Sequence, residues 1–469
     1  MTGLQLPNID FFIVLFFLGS QLVVGLYASR RANRSYEEYL LMGRRLSLPA
    51  FIATLVATWY GGILGIGEFT YRYGILNWFA QGLPYYLFAI LFALFLAPRI
   101  RESNQYTLPD QLRRQFGTPA GIIGGLFIFI LTTPAPHFLM VSLLLGGIFG
   151  IPFWWAFALT SLFSALYVFF GGLRAVVITD ILQFILMFTG FGLIVGILIT
   201  RYGGWSFLQA HLPATHLQPV GEMGLAYLMV WFFIALWTFV DAGFYQRCYA
   251  AQSWQTARKG ILISVIFWVI FDFLTTTTGL YARALLPGIN PLLAFPMLGQ
   301  QVLGEVSRGL FFVALLATIM STLDSYCLLS AMSFGRDFLG LLRGGPDRRQ
   351  YIKIGLVFSV LVSGILIYFL PSVVRMWYTL GSLLIPSLFV PTLAALYRMP
   401  LPRQLIIAGM GLSFLASGSW FAAGIWLGSA ILPRYPWHIQ PFFIGCLVWF
   451  LIFLGACVRR MLIRLFSDR

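Results

Sequence analysis

The stretch ATIMSTLDSYCLLS, residues 317–330, sets Thr318, Ser321, Thr322, Asp324, Ser325 and Ser330 inside a run apolar enough to cross a bilayer. At helical pitch, Thr318, Ser321, Thr322 and Ser325 lie three or four residues apart. Their hydroxyls and the Asp324 carboxylate can therefore share one side of a helix. Hard oxygen donors at this spacing suit a small hard cation, and soft or imidazole ligands are missing from the set, which disfavours a transition metal. Hydroxyls in membrane helices often only bond the carbonyl four residues back. A carboxylate gains nothing from such back-bonding, so Asp324 tips the balance towards a ligand role.

Four more acidic residues fall inside or near apolar runs: Glu68, Asp180, Asp241 and Asp272. A buried ionisable group costs several kcal/mol unless paired or hydrated, so each is a functional candidate. Glu68 lies four residues before Arg72, where a structural ion pair competes with a transport role. Asp272, in VIFDFLTTTTG, is expected to be held structurally by its threonines. In ATWYGGILGIGEF, Gly61 and Gly62 follow Trp59 and Tyr60. Such glycines mark either close helix packing or a break whose free carbonyls bind an ion or solute. In WTFVDAGFYQRC, Asp241 and Gly243 stand between aromatic residues and mark a second candidate break. Two interrupted spans, five spans apart, are what an inverted repeat of five helices places at equivalent positions.

The elements that hold these residues follow from composition. Of 469 residues, 59% are hydrophobic and only 10% charged, too few charges to cover a soluble protein of this size. Apolar runs near 9–28, 48–71, 76–97, 119–147, 152–170, 175–200, 223–245, 259–283, 308–334, 352–371, 376–397, 404–430 and 438–458 predict thirteen spans. With the N-terminus outside, 24 of the 30 basic residues fall on the inner side. Only Arg72, Arg201, Arg283, Arg308, Arg375 and Arg434 lie outside. The net charge of +15 is thereby explained by topology, with no call for a nucleic-acid partner. The first run lacks a preceding basic region and a cleavage site, so a retained span is expected, not a signal peptide. Cys248, Cys327, Cys446 and Cys457 are scattered, without disulfide or zinc spacing. No Walker A sequence or hydrophilic domain points to ATP-driven or catalytic work.

The sequence resembles the sodium:solute symporter family through ATWYGG, GGLRAVVITDILQ (171–183), FYQRCYAAQSWQTARKG (244–260) and ATIMSTLDSYCLLSAMSFGRDF (317–338). Its motifs are nearest those of the choline- and pantothenate-type branches. The resemblance implies an all-α leucine-transporter fold in a single transporter domain, 1–469. Residues 1–30 would form an extra N-terminal helix, 48–200 and 223–397 the two inverted repeats, and 404–469 the C-terminal helices and tail. It implies a sodium ion held by carbonyls near Leu55 and Thr58, the carbonyl of Thr318 and the hydroxyls of Ser321 and Thr322. Asp180, Asp324 and Ser325 match a second locus, left open between another sodium, a proton and a hydrogen-bond network. The expected solute contacts are Trp59, Tyr60, Gly61, Gly62, Tyr85, His137, Trp237 and Asp241, with Tyr86 as a further aromatic face. Asp241 would pair with an amine or hydroxyl of the solute.

The expected activity is sodium-coupled import of a small polar solute by alternating access. That solute is an amine, amino acid, sugar or carboxylate. Proton coupling through Asp180, Asp241 or His137 stands as the alternative, with a membrane-embedded enzyme or a sensor more remote. The expected setting is the lipid bilayer of the plasma membrane, with the N-terminus outside and the C-terminus inside. Oligomeric state is left open.

Overall fold

In a computed structural model the chain is described at residues 4, 6–32, 35–221, 224–345, 347–429 and 434–467. Among the basic residues that set the expected topology, Arg34 and Arg469 lie outside these. So do the end residues 223 and 430 of two predicted spans.

The described residues are almost wholly helical, and each predicted apolar run falls on helix. Ten stretches are long and apolar enough to cross a membrane, and a bent pair, Leu48–Trp59 with Ile63–Tyr73, makes an eleventh. Phe153–Leu166 and Pro441–Gly455 are shorter apolar helices at the positions of the fifth and thirteenth runs. Spans are numbered below by the thirteen runs.

The departures from straight helix have local causes. The fourth span divides into Thr118–Leu131 and Ala135–Phe149. Pro134 and Pro136 withhold the amides that would continue the ladder. The fifth and sixth spans run through Phe153–Tyr202 with one break at Gly172 (φ 51°, ψ −150°). A side chain at Gly172 would sit 2.2 Å from the carbonyl oxygen of Tyr39, so the second glycine of GGLRAVV makes both the turn and the close approach. The seventh span loses its α-helical winding over Ala235–Phe239 and resumes at Ala242 behind the cap Asp241. The ninth span, Ser307–Gly340, is almost entirely buried and packs against the first, second and sixth.

The topology count needs one correction. Arg247 and Arg336, assigned by sequence to inner loops, lie within helices and are 0% and 2% exposed. Both side chains are committed to buried partners and are not solvated loop charges.

Candidate ion and solute site

The second span stops being helical at Tyr60 and restarts at Ile63, turning by 54°. The break lies against the ninth span, where the Thr322 hydroxyl donates to the Thr58 carbonyl oxygen at 2.5 Å. A Cβ on Gly61 would fall 2.0 Å from the side chain of Thr322, and one on Gly62 would fall 2.0 Å from Trp377. These glycines therefore serve close packing and the break together. Gly61→Ala is expected to destabilise the protein by about 1–3 kcal/mol through overpacking. Gly192→Ala, inside a helix with open space around it, should be neutral to stabilising, by up to about 1 kcal/mol. Thermal unfolding of the purified variants measures the difference, and equal melting points would refute the packing role.

Of the expected ion ligands, Thr58 and Thr322 meet at this break, and Ser321 reaches Asp180 beside it. Leu55, one turn before Thr58, is 3% exposed, and Thr318, Ser321 and Thr322 are 0–2% exposed. Thr318 donates its hydroxyl to the Ala314 carbonyl at 2.7 Å. Every donor is an oxygen, the set that suits a small hard cation. Among the described residues no three His, Cys, Asp or Glu side chains are arranged to hold a metal ion.

Beside it lies a denser polar cluster. Asp180, fully buried, accepts from Ser321 Oγ at 2.6 Å, from the Thr54 hydroxyl and, at 3.5 Å, from Thr58 Oγ1. Its counter-charge belongs to the protein: Arg247 Nη2 stands 3.7 Å from Asp180 Oδ2. The same nitrogen is 3.1 Å from Thr54 Oγ1, 2.9 Å from Thr58 Oγ1 and 2.7 Å from Ser325 Oγ. Of the two residues expected beyond the first locus, Ser325 enters this network, while Asp324 lies fully buried beside it in the ninth span. Arg247 and Thr54 are absent from the sequence-derived set. The quoted YQRC held the only available signal for Arg247.

A cavity of about 100 Å³ opens on the other side of the break. Its wall includes Trp59, Tyr60, Gly62, Tyr85, His137, Trp237, Asp241 and Thr322, all among the residues predicted for ion or solute. Trp59 sets its ring 5.0 Å from Tyr85 and 5.3 Å from Trp268. Asp241 caps the resumed helix, its Oδ1 accepting from the Phe244 amide at 3.0 Å and its Oδ2 from the Tyr326 hydroxyl at 3.1 Å. His137 packs edge-on against Tyr326 at 5.1 Å. Trp377, Tyr326 and Asp272 also line the cavity and were not assigned to it from sequence. The Asp272 carboxylate accepts from Tyr86, while the Thr275 hydroxyl bonds the Asp272 backbone oxygen. The structural role expected of the threonines is thus not the one they play.

The two ends of this region differ. Towards Glu68 and Arg72, paired at 3.2 Å, a cavity of about 670 Å³ reaches down to Trp231, which also lines the central cavity. The opposite end is closed. There Arg336 pairs with Asp110 at 2.8 Å and Asp337 at 2.7 Å, and Leu46 and Gln252 exchange backbone bonds with Ala250 and Leu46 at 3.0 and 3.1 Å. Burial would raise the Glu38 carboxyl at this end, but Arg174 and Arg45 outweigh it and hold it below the ordinary carboxylate range.

A model of the sodium:solute symporter family matches residues 39–385, spanning the broken second span, the Asp180 cluster and the ninth span. The chain belongs to that family. The sodium/proline symporter of Staphylococcus aureus (strain JH9) is 26% identical over 440 residues, covering 86% of this symporter and 83% of the relative. A sodium-coupled sialic acid symporter in a substrate-bound outward-open state superposes with a TM-score of 0.78 at 18% identity, over 95% and 96% of the two chains. A nucleobase-cation-symport-1 family transporter in a closed conformation gives 0.59 at 13% identity, over 91% and 95%. The fold is thus the leucine-transporter type. This symporter is a multi-pass membrane protein that couples sodium to movement of a small solute, and it is not an enzyme.

Proposed function

We propose that this symporter imports its solute with one sodium ion per cycle, the ion seated at the break of the second span and the solute in the adjacent cavity. One observation carries the reading: Thr322 touches the Thr58 carbonyl and also forms part of the cavity wall. An ion arriving between Leu55, Thr58, Thr318, Ser321 and Thr322 replaces the hydroxyl-to-carbonyl bond with shared coordination and fixes the wall against which the solute sits. Whatever factor the ion adds to solute affinity, the solute adds to ion affinity, typically 5- to 150-fold.

The second locus adds no transported ion in this reading, because the guanidinium of Arg247 supplies its positive charge. The repeats are 48–200 and 223–397, flanked by 1–30 and 404–469; breaks in the first span of each support this division. The Arg336 end faces the cytoplasm and the Glu68 end faces outward, as the surviving bias of basic residues favours. In this reading the protein sits in the plasma membrane with its N-terminus outside, opened towards its supply of ion and solute. Release inward then requires the Arg336 pairs and the Leu46 backbone bonds to part.

Uptake into proteoliposomes, measured against sodium concentration, is expected to follow a Hill coefficient of about one. A coefficient near two would overturn the single-ion reading.

A further inference from the structure

The central cavity carries two acidic side chains, Asp241 and Asp272, and no lysine or arginine lines it. Neither carboxylate has a Lys or Arg nitrogen within 4 Å among the described residues, and they are 3% and 5% exposed. Asp241 accepts from one amide and one phenol, and a carboxylate can accept about four hydrogen bonds. Capacity is left facing the cavity. The guanidinium whose charge reaches Asp241, that of Arg247, does so without a direct bond and is shared with Asp180, Thr54, Thr58 and Ser325.

The rest of the wall is aromatic, led by Trp59, Tyr85, Trp231, Trp237 and Trp377. Ring faces attract an ammonium group within about 6 Å, more strongly where water is excluded. The charge balance gives the same answer. Two carboxylates against no lysine or arginine among the described lining residues leave the wall negative, which favours a positive group on the solute. A neutral solute leaves that charge uncompensated. A zwitterion fares less well, because its own carboxylate meets two acidic side chains in this wall, with only the adjacent sodium and the imidazole of His137 to receive it.

We propose that the solute is a small organic ammonium cation, held by Asp241 and Asp272 within this aromatic wall. The proposal rests on the cavity being the solute site of a sodium symporter. Thermal unfolding of the purified full-length protein, in sodium and in potassium buffer, tests it with tetramethylammonium and butylammonium as cations. The comparison probes are tert-butanol as a neutral shape, pivalate as an anion and proline as a zwitterion.

The ammonium probes are expected to raise the melting temperature in sodium only, with the other three giving no shift. Asp241→Asn should weaken the ammonium response at least roughly 10-fold in half-maximal concentration. Glu68→Gln, at the rim, should leave it unchanged. A retained sodium shift shows that Asp241→Asn is folded, and Asp241→Glu, which restores the charge, should recover most of the response. Stabilisation by proline, pivalate or tert-butanol with none by the cations overturns the proposal, as does a response from no probe at all. If sodium itself has no effect on the parent protein, the ion site fails and not the solute class.

Discussion

Replacing Ser321 and Thr322 together by alanine is expected to abolish both sodium-dependent stabilisation and sodium-driven uptake. In the proposed site each hydroxyl ligates a charged partner, worth about 1.5–3 kcal/mol, so losing two should weaken sodium binding roughly 100- to 10,000-fold. Thr322→Val separates chemistry from packing, because it keeps the side-chain volume that fits against Gly61 while removing the oxygen. That single variant should lose about 1–3 kcal/mol in potassium, the cost of its bond to the Thr58 carbonyl, and most of the further gain in sodium. A double variant that still responds to sodium as the parent does would sink the assignment of the ion to this break.

Arg247→Gln is expected to be strongly destabilising, by about 3–5 kcal/mol, since it strands a fully buried carboxylate at Asp180. The loss should be partly reversed by raising sodium and not by raising potassium, because an ion can then take the guanidinium's place among Asp180, Thr58 and Ser325. In parallel the Hill coefficient for sodium should climb from about one towards two. Adding Asp180→Asn to Arg247→Gln removes the stranded charge. That pair should lose less than the sum of its parts, and sodium should no longer rescue it. Thermal unfolding across a sodium series reads all three proteins. An Arg247→Gln variant as stable as the parent would show that the ion pair does little, and sodium rescue of the double variant would place the ion elsewhere.

Much of this was legible in the sequence because the bilayer punishes polar groups and irregular backbone. The spans follow from runs of apolar residues, and the breaks at Gly61–Gly62 and Asp241 from glycine and carboxylate where neither stabilises a helix. Arg247 was misread for a geometric reason. It lies near a helix end, where basic residues usually mark a loop. Yet Cβ bonds in a helix tilt towards its N-terminus, and a long side chain there can reach back into the bundle. Asp272 was assigned to its neighbouring threonines because they are close in sequence. Its actual partner, Tyr86, is 186 residues away, a relation no local pattern encodes. Trp377 and Tyr326 were missed because, in a chain with 17% aromatic residues, type alone does not say which ring faces a cavity.

The bonds between Leu46 and residues 250–252 are made by main-chain atoms alone. No exchange of side chain there, short of proline, can delete them, so this clasp between the segment before Leu48–Trp59 and the one after Ala242–Ala250 tolerates sequence drift. It also ties the start of Leu48–Trp59 to the end of Ala242–Ala250, the arms of the two interrupted spans on that side of their breaks.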